Sequence, residues 1–225
     1  MARWAQQATV RAAARLEGVS EGLAERSWRE RYGRRLPGRP HRLLGLDGFS
    51  FRRRQMWTGL WDLERALPVA FVAGEGQQQA ELLLGRYGSA RTVEAVAMDL
   101  HEPYRQAVQA VLPQAAVVAD KFHVLALAAR ALQEVHRQRR RRGNLAWLLQ
   151  RGAERLGPQE RERLMEALLA DEALARAWGL KESLRSLYRL PRPQQAEGAL
   201  GRWLKEAEAS GLAPFQRVAR TLRRW

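Results

Sequence analysis

The stretch from Val93 to Arg130, VEAVAMDLHEPYRQAVQAVLPQAAVVADKFHVLALAAR, holds two apolar runs, each stopped by an aspartate, Asp99 and Asp120. Both runs are too short for helices and are bounded by turn signals, which predicts two buried strands. EPYRQAVQAVLP, between them, carries proline in its first turn and reads as a helix. KFHVLALAARALQEVHRQRRRR, after Asp120, has an apolar stripe and a basic end, which predicts a long helix. Two β-α units thus deliver two carboxylates to one strand edge, the edge where open α/β sheets place their chemistry.

Upstream, RLLGLDGFSF reads as a strand with Asp47 inside it. RQMWTGLWDLE and RALPVAFVA read as a hairpin turned at DLER, and QQQAELLLGRYG as a helix ended by glycine. The middle of the chain is therefore β-β-β-α-β-α-β-α, a mixed α/β class. No glycine-rich phosphate loop follows the first strand, which excludes a dinucleotide fold. Residues 8–35 carry two short helical patterns broken at EGVS, with Ala13, Leu16, Val19 and Leu23 inward and Ser20 as a cap. This hairpin resembles a helix-turn-helix in outline and fits any helical hairpin equally. GRRLPGRPHR (Gly33 to Arg42) is a proline- and glycine-punctuated linker. From Gly143 onward the chain reads as helical, with Trp147, Trp178, Trp203 and Trp225 at spacings that suit core anchors better than base-stacking residues. The expected domains are 1–36, 37–142 and 143–225.

The 225 residues carry a formal net charge of +15, and all but three of the 39 cationic side chains are arginine. An arginine excess of this size points to a polyanion, and its forked geometry favours nucleic acid; compositional bias is the competing explanation. Hydrophobic content of 46% is enough for a core. Cysteine is absent, which excludes disulfides, iron–sulfur clusters and cysteine-held zinc. No apolar run is long enough to cross a bilayer, and the first residues lack a secretory pattern. The expected location is the cytoplasm, with the nucleoid.

Asp47 is the costliest residue in this pattern, because an aspartate inside an apolar strand needs a partner or a metal. If the first and fourth strands are neighbours, Asp47 and Asp99 meet at one rim, and a divalent cation resolves their repulsion. Two such ions are suited to phosphodiester chemistry. A helix N-cap is the alternative for Asp99. His101, two residues after Asp99, reads as an exposed helix-start residue, with a metal ligand as the alternative, and His41 as part of the linker.

LLGLDGFSFRRRQMWTGLWDLERALPVAFVAGEG, VAMDLHEPYRQAVQAVLPQAAVVADKFHVLALA and the basic helix after them resemble the core of the ISL3-family transposases, insertion-sequence enzymes of the DDE type. The resemblance covers roughly residues 8–140, more loosely the rest. It implies a ribonuclease-H-like sheet with an N-terminal helical hairpin and a C-terminal helical extension. It implies Asp47 and Asp99 as catalytic, metal-binding acids, Asp120 and His123 as a signature pair near the site, and Mg2+ or Mn2+ as cofactor. It implies strand cleavage and transfer on DNA at element ends, with a homo-oligomer or a full-length transposase as further partner and no membrane.

Three departures shape the expectation. Gly48 stands where the family shows an acid, the cysteine- and histidine-rich N-terminal segment is missing, and the chain stops at RTLRRW before the EG-N-K motif that carries the third acid. Glu154, Glu166, Glu182 and Glu206 lie in ordinary amphipathic patterns, and none is assigned that role. The expectation is a transposase shortened at both ends and inactive alone. A non-catalytic basic module occupying element ends or a partner transposase is the alternative. DNA contacts are expected from Arg52, Arg53 and Arg54, and from Arg137, Arg139, Arg140, Arg141 and Arg142 in HRQRRRRG.

Overall fold

The structure, a computed structural model, describes residues 18–20, 22–23, 26, 40–51, 55–139 and 145–225, the side chain of Phe51 excepted. Most of the helical hairpin and of the 1–36 region lies outside the described residues, as do Arg52, Arg53, Arg54, Arg140, Arg141 and Arg142. Within the part described, Gly18 takes a φ of 64° and the Leu23 N–H donates to Ser20 Oγ at 3.2 Å, the expected cap.

The strands are β1 (Leu43–Phe51), β2 (Gln55–Asp62), β3 (Leu67–Ala73), β4 (Ala95–Met98) and β5 (Ala116–Ala119). The helices are α1 (Gln77–Tyr87), α2 (Glu102–Val111), α3 (Lys121–Gln138), α4 (Ala146–Gln150), α5 (Pro158–Leu169), α6 (Glu172–Leu187), α7 (Pro193–Ala209) and α8 (Ala213–Arg223). The β-β-β-α-β-α-β-α order is the one read from the sequence. The five strands lie in the order β3-β2-β1-β4-β5, with β1–β2 and β2–β3 antiparallel. The Ala116 N–H donates to the Glu94 carbonyl and the Asp120 N–H to the Met98 carbonyl. Both bonds keep one sequence offset, so β4 and β5 run parallel.

The chain forms two compact units: residues 1–97 with 102–117, and residues 98–101 with 118–225. In the first, the strand period of two sorts side chains between the sheet faces. Leu44 and Leu46 of β1 are buried, as are Thr58, Leu60 and Asp62 of β2 and Ala80, Leu84, Tyr104 and Val108 of α1 and α2. Phe49, Trp61 and Phe71 carry the opposite parity of their strands and pack edge to face, with centroids 5.5–6.1 Å apart.

In the second unit, α3 buries Val124, Ala128, Leu132 and Val135, at helical spacing, in a cluster with Leu148, Leu180, Leu184, Trp203 and Phe215. Trp203 Nε1 donates to the Leu180 carbonyl at 2.8 Å, so this tryptophan does anchor a core, whereas Trp147 is 37% exposed and does not. Lys181 is buried; its Nζ donates to the carbonyls of Leu149 and Arg151, at 2.8 and 2.7 Å, and meets Glu182 at 2.7 Å. It thereby closes the C-terminal end of the short helix α4.

Two readings need correction. The QAAVVAD run is not a buried strand: β5 is the sheet's edge and Val118 is 45% exposed. Its short, alanine-rich sequence presents little surface to cover, so an edge position costs little. Nor is His41 a mere linker residue. Its Nδ1–H donates to Asp62 Oδ2 at 2.7 Å, and Asp62 is almost wholly buried at the end of β2.

Asp62 also accepts from the Arg65 N–H at 2.9 Å and faces the Arg65 guanidinium at 3.3 Å. Burial pushes its carboxyl pKa up, but the His41 hydrogen bond and the Arg65 contacts outweigh burial and hold it below the ordinary range. A carboxyl depressed by folding adds stability that is complete above about pH 4 and lost as pH falls through the folded value. Asp62→Asn is therefore expected to cost on the order of 2 kcal/mol at neutral pH and to flatten the acid limb of stability. Denaturant melts across the acid range check this, and an acid limb unchanged from wild type would refute it.

Candidate functional site

Asp99 directly follows β4, whose pairing with β5 continues to the Asp120 N–H. The turn after it is tight: the His101 N–H donates to the Asp99 carbonyl at 2.7 Å, and α2 begins at Glu102. Asp120 directly follows β5 and precedes α3. The two aspartates end similar sequence runs, but the second has a clear structural task. Asp120 is the N-cap of α3, and its Oδ1 accepts from the Phe122 N–H at 2.5 Å. His123, one helical turn into α3, brings its Nδ1 to 3.8 Å from the same carboxylate, too far for a hydrogen bond.

A ring nitrogen of His123 and a carboxylate oxygen of Asp99 lie within 4.8 Å of each other, both residues being half-buried. That spacing suits two ligands of one cation better than a direct contact. The signature pair is thus divided by geometry: His123 turns toward Asp99, and Asp120 holds the helix that carries His123. His101 does not belong to this group.

In the other unit, Asp47 is half-buried on β1, opposite Gly59 of β2. The next residue, Gly48, is tightly enclosed. A Cβ there would come within 2.6 Å of Glu75 Oε1 and 3.0 Å of the Tyr104 hydroxyl. Tyr104 is fully buried and shares a 3.2 Å hydrogen bond with Thr58 Oγ1, which also donates to the Gly74 carbonyl at 2.9 Å. Position 48 has no room for a side chain here unless Glu75 moves.

Residues 44–225 match the sequence profile of the ISL3 transposase family, described as "Transposase". The chain belongs to the ISL3 transposase family. It is also 33% identical over 148 residues to the transposase for insertion sequence element IS1001 of Bordetella parapertussis, a match covering 60% of this chain and 36% of that protein. The chain therefore spans little more than a third of that relative's length.

With the ISL3 family in place, the four glutamates weighed from the sequence can be located. Glu154 meets Arg185 at 2.6 Å and Arg189 at 3.1 Å, and its carboxyl is held below the ordinary range by a backbone hydrogen bond and these arginines. Glu182 meets Lys181 and accepts from the Ala153 N–H at 3.2 Å. Glu166 and Glu206 are exposed. Among the described residues, none of them joins the group of possible metal ligands. Of the expected DNA-binding arginines, Arg137 and Arg139 are described; both are exposed, and Arg139 lies 3.4 Å from Asp171. Asp62, Lys181 and Tyr104 are the structural residues missed from the sequence.

The cap and the ligand roles separate by substitution. Asp120→Ala is expected to cost about 1 kcal/mol of stability, while Asp120→Asn keeps an accepting oxygen and costs a few tenths. Asp99→Asn, which removes no cap of α3, should leave the α3 unit at wild-type stability. Thermal melts of the three variants check this ordering.

Proposed function

We propose that this chain carries the metal-binding acids of an ISL3-type DDE transposase, a metal-dependent catalyst of DNA strand cleavage and transfer at insertion-sequence ends. The observation that carries the reading is strand pairing within a chain of that family. β1 and β4 are neighbours, and the Glu94 and Ala95 N–H groups both donate to the Arg42 carbonyl. Asp47 stands as far beyond Arg42 as Asp99 stands beyond Glu94. If that pairing continues in parallel, the two carboxylates stand level, and Asp47 would complete the ligand set begun by Asp99 and His123.

Two carboxylates and one imidazole suit Mn2+ directly, and Mg2+ with water in the remaining positions. The bound ion would activate a water or hydroxyl and steady the leaving oxygen. The chain's own residues do the rest. The sheet fixes the carboxylates, the Asp120 cap fixes the start of α3 and so the His123 ring, and the arginine surplus draws the phosphate backbone. In this reading the sheet is ribonuclease-H-like, residues 37–142 form the catalytic core and residues 143–225 its helical region. The site of action is the nucleoid, and a homo-oligomer or a full-length transposase is the partner. Among the described residues no helix is long and apolar enough to cross a membrane.

We also propose that these 225 residues do not cut DNA by themselves. No third carboxylate joins Asp99 and His123 among the described residues, and acids of such a set act as a unit. The basic non-catalytic module is then how the chain behaves alone.

Mn2+ binding, followed by the loss of its free-ion paramagnetic resonance signal, is expected for the wild type. Asp47→Asn or Asp99→Asn should weaken it by about tenfold or more, roughly the 1.4 kcal/mol of one lost ligand contact, and leave DNA binding in place. Wild-type Mn2+ affinity in both variants would sink the metal site. Mg2+- or Mn2+-dependent nicking of element-end DNA that Asp47→Asn abolishes would overturn the inactivity and leave the site standing.

A further inference from the structure

Phe122 is 78% exposed, yet it is the second residue of α3, between the capping Asp120 and His123. Its backbone is not loose: the Phe122 N–H is the donor to the Asp120 cap. A full aromatic ring is therefore held out into solvent, one residue from His123, whose ring nitrogen lies within 4.8 Å of an Asp99 oxygen. The residue before it in sequence, Lys121, reaches a second ring of the same unit, Tyr188. Tyr188 is 41% exposed, the Lys121 ammonium sits 5.2 Å from its ring centroid, and burial, then the Asp120 charge, pushes its hydroxyl pKa up. Exposed rings with a lysine among them are the chemistry that receives unstacked nucleobases: the rings take the base faces and the cation takes the phosphate.

We propose that Phe122 is a base-stacking residue for single-stranded DNA, receiving an unpaired nucleobase next to Asp99 and His123, with Lys121 holding the adjacent phosphate. The proposal rests on the transposase reading and deepens it: the substrate at this site is an opened strand rather than intact duplex. An intact duplex hides base faces in its stack, so an exposed ring gains nothing from it. A frayed or unpaired end offers those faces at once.

The test uses the full chain in EDTA, so that metal plays no part, with fluorescence anisotropy of a labelled oligothymidylate and of a blunt duplex of equal length. Phe122→Ala is expected to weaken oligothymidylate binding about fivefold or more, the value of one lost stacked base, and to leave duplex binding within about twofold of wild type. Phe122→Trp should restore binding, while Phe122→Leu, apolar but without a π face, should not. Lys121→Ala should lower the log–log salt slope for the single strand by about 0.7, and Phe122→Ala should leave that slope unchanged. Equal losses for single strand and duplex, or full binding by Phe122→Leu, would overturn the proposal. The Mn2+ titration of Asp99→Asn decides the metal reading separately, so either can fail without the other.

Discussion

The pairing of β4 beside β1 is the constraint on which the proposed chemistry depends. β1 has an antiparallel neighbour, β2, on one side and β4 on the other, so the meander hands over to the β-α units at this strand. The handover starts at the Arg42 carbonyl, which accepts from both Glu94 and Ala95, and the Arg42 side chain reinforces it. Arg42 Nε and Nη2 donate to the two Glu94 oxygens at 2.8 and 3.0 Å. That hydrogen-bonded pairing holds the Glu94 carboxyl below its ordinary range. It stands on the surface, so its worth is registration more than stability. A slip of one residue would turn every β4 side chain to the other face of the sheet.

The two aspartates that close β4 and β5 show how one local pattern serves different ends. An apolar run, then aspartate, then a helix is what a capped β-α junction needs, and Asp120 fulfils it by binding the Phe122 N–H. Asp99 is separated from its helix by Leu100 and His101, and its carboxylate lies near the His123 ring. Capping demands that the acid sit immediately before the first helical residue. The two-residue spacer before α2 sets the Asp99 junction apart from the Asp120 junction.

Much of this architecture was legible because strand runs, turn signals and helix periods all agree between Leu43 and Gln138. The β-hairpin, the glycine that ends α1 and the proline in the first turn of α2 fall where expected. The limits are those of one-dimensional reading. Nothing in QAAVVAD tells an edge strand from an inner one, since that depends on which strand fails to gain a neighbour. His41 and Asp62 are too far apart in sequence to suggest a contact, and only the antiparallel register brings the end of β2 back beside the start of β1. Lys181 looks like any helix cation, but it is buried because the end of α4 presents two carbonyls to it. Gly48 reads as a lost acid; the structure gives it a packing reason in Glu75 and Tyr104.

The charge pattern bears on how the chain would meet DNA in the proposed function. Several arginines of the helical unit are engaged by acids: Arg223 with Glu208 at 2.5 Å, Arg217 with Glu134 at 2.6 Å, Arg176 with Glu172 at 2.6 Å and Arg151 with Glu160 at 2.9 Å. The hydrogen bond from Arg223 holds the Glu208 carboxyl below its ordinary range. These exposed pairs add little to stability, so salt that screens them should leave the fold largely intact. The cations that outnumber the acids face a different balance. Each one that meets a phosphate releases condensed counterions, a gain that salt removes directly. Raising ionic strength should therefore detach DNA from a still-folded protein. The part of the proposed recognition that salt does not screen is an aromatic face against a base, the contact proposed for Phe122.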